Sequence, residues 1–266
     1  MLSPSGSLPT GEGGGGEALN LNFMDYKDFD RMVNEAEGNY TRSYQPSTTL
    51  PVLMRKVYTW MALALVITGV TAYGVATTPS LIEAIVMNKI LFWGLIIAEF
   101  GIVFGISGML HKLSLTTATL MFIAYSVING LLLSFIFLVY TMSSISTVFF
   151  ITAATFGVMA LVGYTTKTDL SKLGSILFMA LIGLIIATVV NMFVNSSGFQ
   201  LILSYIGVLI FVGLTAYDTQ KIKLMLNEQS SADESAQKLA LLGALSLYLD
   251  FVNIFIYLLR IFGDRK

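Results

Sequence analysis

From residue 53 onward, apolar runs of about 20 residues alternate with short polar breaks, and about 20 residues at ~1.5 Å rise cross a hydrocarbon core of ~30 Å. Seven such runs are predicted, over approximately 55–76, 90–110, 114–140, 145–165, 173–194, 199–222 and 239–262. They lack the strict alternation of a membrane barrel, and backbone groups in lipid must be satisfied internally, so each run reads as a helix. Connections as short as TMSS at 141–144 and NSSG at 195–198 force antiparallel neighbours. The expected fold is an all-α membrane protein: a seven-transmembrane-helix bundle over residues 51–266, with no soluble catalytic domain.

Residues 1–50 break this pattern. They open on the Gly/Ser/Pro-rich MLSPSGSLPTGEGGGGEA and continue polar and acidic, without a sustained apolar face. That composition predicts a disordered polar cytoplasmic tail. No apolar core follows the initiator, which argues against a signal peptide, and Met24 is a candidate alternative start.

Composition supports the membrane reading. The chain is 55% hydrophobic and 12% charged, with mean hydropathy +0.78, whereas soluble domains carry roughly 25% charge. Its net charge of −1 decides nothing, and there is no basic footprint for nucleic acid. The absence of cysteine excludes disulfides and thiolate chemistry. One histidine, His111, argues against a histidine metal site or catalytic triad. No cofactor is expected.

The basic residues segregate along the chain. Arg55, Lys56, Lys112, Lys167, Lys172, Lys221, Lys223 and Lys238 all fall on one side of the predicted bundle, which by the positive-inside rule is the cytoplasm, together with the N-terminus. Lys89 is an exception. Arg260, Arg265 and Lys266 are another: either seven full crossings place them on the far side, or the last segment re-enters and returns.

Polar residues within the spans carry the chemistry. Asp218 lies in IGVLIFVGLTAYDTQ and Asp250 in LLGALSLYLDFVNIFIYLL, with no basic residue at comparable depth. A charge near the bilayer centre costs about 3 kcal/mol even on lenient scales, so such an acid faces a cavity, an ion or a second titrating group. Asp218 could instead be an interfacial acid paired with Lys221, three residues on. Asp250 could be a protonated structural group. Glu99, in LFWGLIIAEFGIVFGISGML, reads either as a carboxyl satisfied by a helix partner or as a pathway group. Asn129, Asn191 and Asn253 read as hydrogen-bonding links between helices; Asn253 also shares a helix face with Asp250. Gly101 and Gly105 predict close packing of the second helix. The thirteen methionines read as apolar filler.

The tract TAYDTQKI in the sixth span, followed by ALSLYLDFVNIFIYLLRIFG in the seventh, resembles the signature of the transmembrane Bax inhibitor motif family, bacterial branch. The seven-span pattern and the acid in the second helix extend the similarity over residues 50–266. The resemblance implies two three-helix groups around a central seventh helix and a pH-sensitive calcium leak whose sensor is a pair of aspartates, here Asp218 and Asp250. Rise per residue alone sets Asp218 shallow and Asp250 deep, so their meeting is implied by the resemblance. Some relatives latch the sixth-helix aspartate with an arginine near the end of the second helix. This chain offers Leu110, then His111 and Lys112, as the possible latch. The loop LNEQSSADESAQ is also long and acidic, which bears on access to the mouth.

Two carboxylates close together in low dielectric cannot both ionise cheaply and tend to share a proton. Calcium prefers several oxygen ligands, so Asp218 and Asp250 with water make a weak transit site, which is what conduction needs. The expected gate is therefore Asp218 with Asp250, and the ion pathway includes Glu99 and Asn253. The partners are the bilayer and calcium ions, and the setting is a bacterial cytoplasmic membrane. A catalytic reading fails: intramembrane aspartyl proteases carry Gly-x-Gly before the second aspartate, where this chain has Leu247-Tyr248-Leu249. No lysine lies within the seventh helix for a retinal Schiff base. The alternative function is a non-conducting regulator that binds a membrane protease or a cell-death protein.

Overall fold

Pro51 sits in the first turn of a helix, where its missing N–H breaks no bond, so the first span begins at Leu50, ahead of the predicted 55. The computed structural model describes residues 49–266. The expected polar tail lies outside the described residues except for Thr49 and Leu50. Helix α1 (Leu50–Ala76) ends where the hydroxyls of Thr77 and Thr78 turn back on the carbonyls of Tyr73 and Gly74, at 3.0 and 2.9 Å. A short helix, α2 (Pro79–Met87), occupies the stretch read above as a polar break; Pro79 again opens its first turn.

The remaining helices are α3 (Lys89–Met109), α4 (Leu115–Leu133), the single-turn α5 (Ile136–Val139), α6 (Met142–Thr165), α7 (Ser171–Val194), α8 (Ser197–Asn227) and α9 (Glu234–Phe262). Asn88, Ser114, Thr141, Ser196 and Asp233 cap α3, α4, α6, α8 and α9 by accepting a backbone N–H in the first turn, which fixes the start of each helix at its short connection. Asn195, at φ 53°, takes the left-handed turn that ends α7. Among the described residues seven segments are long and apolar enough to cross a membrane, with α4 and α5 together forming the third.

The last helix is the centre of the bundle. Of its most apolar stretch 67% is buried, against 6% for α3 and 11% for α7. It packs against α1 and α4 on one side and α8 and α6 on the other. Helix α3 joins the first group through α4, and α7 joins the second through α8. Between helices in lipid there is little hydrophobic driving force, so close packing must hold the bundle together. Tyr248 meets Phe122 and Tyr125 edge-on, with ring centroids 6.0 and 5.7 Å apart, while Phe251 meets Phe149 and Phe156 at 5.5 and 5.6 Å.

The structure resolves the topology of the C-terminal cations. Helix α9 runs unbroken from Glu234 to Phe262, and the residues after it lie against the α5–α6 connection. The N–H of Thr141 donates to the carbonyl of Asp264 at 3.1 Å, that of Lys266 to Val139 at 2.9 Å, and Tyr140 and Arg265 form an antiparallel bridge. The segment therefore does not re-enter. Arg265 and Lys266 lie, with Lys89, on the face opposite the other flanking cations, against the segregation of charge elsewhere.

The glycine pair on α3 packs less than expected: a Cβ at Gly101 would meet nothing within 4 Å, whereas one at Gly105 would come 2.9 Å from the Met121 methyl of α4. The tightest approach lies elsewhere. A Cβ on Gly163 of α6 would fall 2.1 Å from the carbonyl oxygen of Ala216 in α8, and backbone cannot yield as a side chain does. Gly163→Ala is expected to lower the melting midpoint in detergent, at an overpacking cost of about 1–3 kcal/mol. Gly157→Ala on the same helix meets nothing within 4 Å and should melt at or above the parent, since alanine favours helix by about 1 kcal/mol. Equal midpoints for the two variants would refute this packing.

Candidate functional site

Asp250 lies midway along the innermost helix, 4% exposed, and its Oδ2 is buried without a hydrogen-bond partner. The charge that bears on it is that of Asp218, on α8. The helix register explains how the two come near. Gly243 of α9 packs on Ile222 of α8, and Gly207 of α8 packs on the ring of Tyr257 of α9. That register sets Asp218 level with Ser246 and Leu247, about one turn, or ~5 Å along the axis, from Asp250. Helix α8 continues nine residues past Asp218 to Asn227, so the acid lies within the helix and not at its end.

Packing on both sides fixes the segment that carries Asp218. Gly163 of α6 abuts the backbone of Ala216, and Gly174 of α7 abuts the ring of Tyr217. Two residues beyond Asp218, the buried side chain of Gln220 donates to the carbonyl of Thr168 at 2.9 Å and accepts from the N–H of Leu170 at 2.8 Å, clamping the α6–α7 connection. The hydroxyl oxygen of Thr219 is buried without a hydrogen-bond partner, and the phenol of Tyr58 on α1 lies beside it.

Lysines stand near Asp218 without neutralising it. The charge of Lys221 acts on the carboxyl, but its ammonium leans over the Tyr217 ring, 5.9 Å from the centroid. Lys223 donates to the carbonyl of Tyr164 at 2.7 Å and lies 4.9 Å over that ring. Among the described residues the ion pair found joins Lys238 and Glu234, at 3.8 Å. Glu234 also accepts from the N–H of Leu115, and Lys238 donates to the carbonyl of Leu113, so this pair fastens the start of α9 to the α3–α4 turn. His111 and Lys112 are exposed on that turn and make no bond to Asp218.

Glu99 belongs to a second polar group. Half-buried on α3, it accepts a hydrogen bond from the side-chain amide of Asn129 on α4, whose own Oδ1 is buried without a partner. The phenol of Tyr125 faces both. One layer further in, the hydroxyls of Thr68 and Tyr248 are 2.6 Å apart, and that of Thr68 donates to the Ser126 carbonyl at 2.9 Å. Tyr248 and Asp250 are two positions apart, about 200° around α9. The Glu99 group and the aspartates therefore occupy opposite sides of the central helix.

Of the three asparagines, Asn129 links helices as expected. The amide of Asn253 donates to the Leu249 carbonyl of its own helix at 2.8 Å, and Asn191 accepts from the nearby N–H of Ser196 at 3.3 Å; both are satisfied locally. Among the described residues no three His, Cys, Asp or Glu side chains converge as a metal centre, so a cation at the aspartates would have two carboxylates and water. Thr219, Tyr58, Gln220, Thr68 and Tyr248 escaped the sequence reading. A hydroxyl or amide within an apolar run is ordinary, and only the fold shows which ones are buried together.

Residues 50–266 match the family model described as inhibitor of apoptosis-promoting Bax1. The inner membrane protein YbhL of Escherichia coli (strain K12) is 47% identical over 223 residues, 84% of this chain and 95% of that protein. An uncharacterized protein of Borreliella burgdorferi is 46% identical, covering 80% of this chain and 92% of its own length. One of Rickettsia prowazekii is 42% identical, covering 80% and 89%. A seven-span bundle around its last helix, with an aspartate on each of its last two spans, thus comes together with a family match over residues 50–266 and similarity to a bacterial inner membrane protein, and the chain belongs to the Bax inhibitor family as a multi-pass integral membrane protein.

Proposed function

We infer that the protein is a pH-sensitive calcium leak of a bacterial cytoplasmic membrane, with Asp218 and Asp250 as its gate. The observation that carries this reading is the unpartnered carboxyl oxygen of Asp250 on the most enclosed helix, within reach of the charge of Asp218. Burial favours a shared proton in the closed pair. Its loss puts two like charges about one turn apart, and that state is relieved either by separation of α8 from α9 or by a passing divalent cation. Two carboxylates with water hold calcium weakly enough to release it.

The surroundings support a gate rather than a catalytic dyad. Gln220 and the α6–α7 connection close over the Asp218 end, and Leu247, Tyr248 and Leu249 leave no glycine-lined approach for a substrate backbone. The N-terminus, the helix ends bearing Arg55 and Lys223 and the loops bearing Lys112 and Lys167 are assigned to the cytoplasm by charge. Glu99 and Asn129 lie on the other side of α9, where they line a route toward the gate without setting its proton.

Calcium entry into dye-loaded proteoliposomes at pH 6, 7 and 8 tests the reading. Flux through the parent should change by no more than about tenfold per pH unit, the limit for one shared proton. Asp250→Asn and Asp218→Asn, at matched incorporation, should each remove that pH dependence. An unchanged profile in Asp250→Asn sinks the gate assignment, and folded parent protein with no flux above empty vesicles would favour the partner-binding regulator. Glu99→Gln should lower the rate several-fold while leaving the shape of the pH profile intact; a shifted profile would place Glu99 within the gate.

A further inference from the structure

Gly69 has no steric reason to be glycine. It sits within α1, where glycine costs about 1 kcal/mol relative to alanine, and a Cβ there would meet nothing within 4 Å. The space it faces is a cavity of about 380 Å³ bounded by α1, the α4–α5 corner, α6 and α9. Leu65, Ala72, Phe149 and Phe255 line it, along with Phe137 from α5. The corner lies where α4 stops at Leu133 and the chain turns before α5, whose Phe137 meets Tyr73 of α1 edge-on. Tyr73 and Phe150 at the rim are 52% and 71% exposed, so the crevice opens on the lipid-facing surface. An apolar hollow of this kind does not hold water, and its size falls within the ~300–1,000 Å³ of small-ligand sites.

The crevice ends beside the misplaced cations. Phe137, which lines it, also accepts a hydrogen bond at its carbonyl from the Lys266 ammonium, at 2.7 Å. Met142, another lining residue, follows Thr141, which is bonded to Asp264. The backbone bridge holds Arg265 and Lys266 in place whether or not their side chains are engaged. Lys266 uses one of its three donors, and the Arg265 side chain makes no hydrogen bond or ion pair among the described residues. The adjoining Asp264 is the acid that faces them, and its carboxylate accepts from the Ser144 hydroxyl at 3.2 Å. Two cations on a fixed frame at one end of an acyl-chain-sized crevice match an anionic phospholipid.

We propose that this crevice binds one anionic phospholipid of the leaflet on the C-terminal face, with an acyl chain against Gly69 and the phosphate on Arg265 and Lys266. The site also gives the two cations a reason to lie opposite most of the other flanking cations. It is independent of the calcium reading.

Native mass spectrometry of the full chain, purified in detergent and exposed to phosphatidylglycerol or phosphatidylcholine, tests the assignment. The parent should retain one phosphatidylglycerol per chain, several-fold in excess of phosphatidylcholine. Gly69→Leu sets its Cβ in open space and extends an apolar side chain into the crevice; it should lose the retained lipid while keeping the parent's helical signal and melting midpoint. Arg265→Gln with Lys266→Gln should keep a lipid but lose the preference between headgroups. Retention by Gly69→Leu equal to the parent's, headgroup preference surviving the double variant, or a second copy of the chain in place of lipid would each overturn the proposal.

Discussion

Everything in this bundle is arranged around a helix that must be both the best-packed element and the carrier of an unneutralised acid. In lipid, helices gain little from hiding apolar surface, so α9 is held by contact: Tyr248 between Phe122 and Tyr125, Phe251 between Phe149 and Phe156, Gly243 against Ile222. Asp250 sits at its middle, buried, and the charge that bears on it is that of another titratable carboxyl, Asp218. The same enclosure that makes the charge costly also keeps lipid and bulk water from satisfying it. A looser helix could hide an acid, but it could not make that acid answer to a single neighbour.

The central helix also divides the polar interior. Glu99, Asn129, Tyr125 and the Thr68–Tyr248 pair belong to the α1–α3–α4 side, whereas Asp218, Thr219 and Gln220 belong to the α6–α7–α8 side. Each group contains a buried oxygen without a partner, at Asn129 on one side and at Thr219 on the other, with that of Asp250 on α9 itself. The two groups meet through α9 and, beside it, where the Tyr58 phenol of α1 lies next to the Thr219 hydroxyl of α8.

The spans were legible in the sequence because a bilayer imposes a length: unbroken apolar runs near 20 residues admit few readings, and short connections force antiparallel order. The central place of α9 came from family resemblance, and its packing against α1, α4, α6 and α8 agrees with it. Helix α2 was missed because nine residues, though mostly apolar, are too few to cross a bilayer and so fell into a gap between spans. The nearness of Asp218 and Asp250 could not be read from rise per residue, which gives depth along one helix but not the slide of one helix past another. Ile222 on Gly243 sets that slide, and nothing in the pattern of either run announces it. Asn253 and Asn191 were misjudged for a related reason, since an amide that turns onto its own backbone and one that crosses to a neighbour are identical in sequence.

The innermost helix is also the last to be synthesised. Six spans must enter the membrane and find one another while the space they enclose still lacks its occupant, and only the arrival of residues 234–262 completes the core. Until then the two three-helix groups share few contacts of their own, chiefly α1 with α8. The Tyr140–Arg265 bridge, too, cannot form before residue 265 is made. The order of synthesis thus leaves the central helix to be seated between two half-bundles that precede it in the chain.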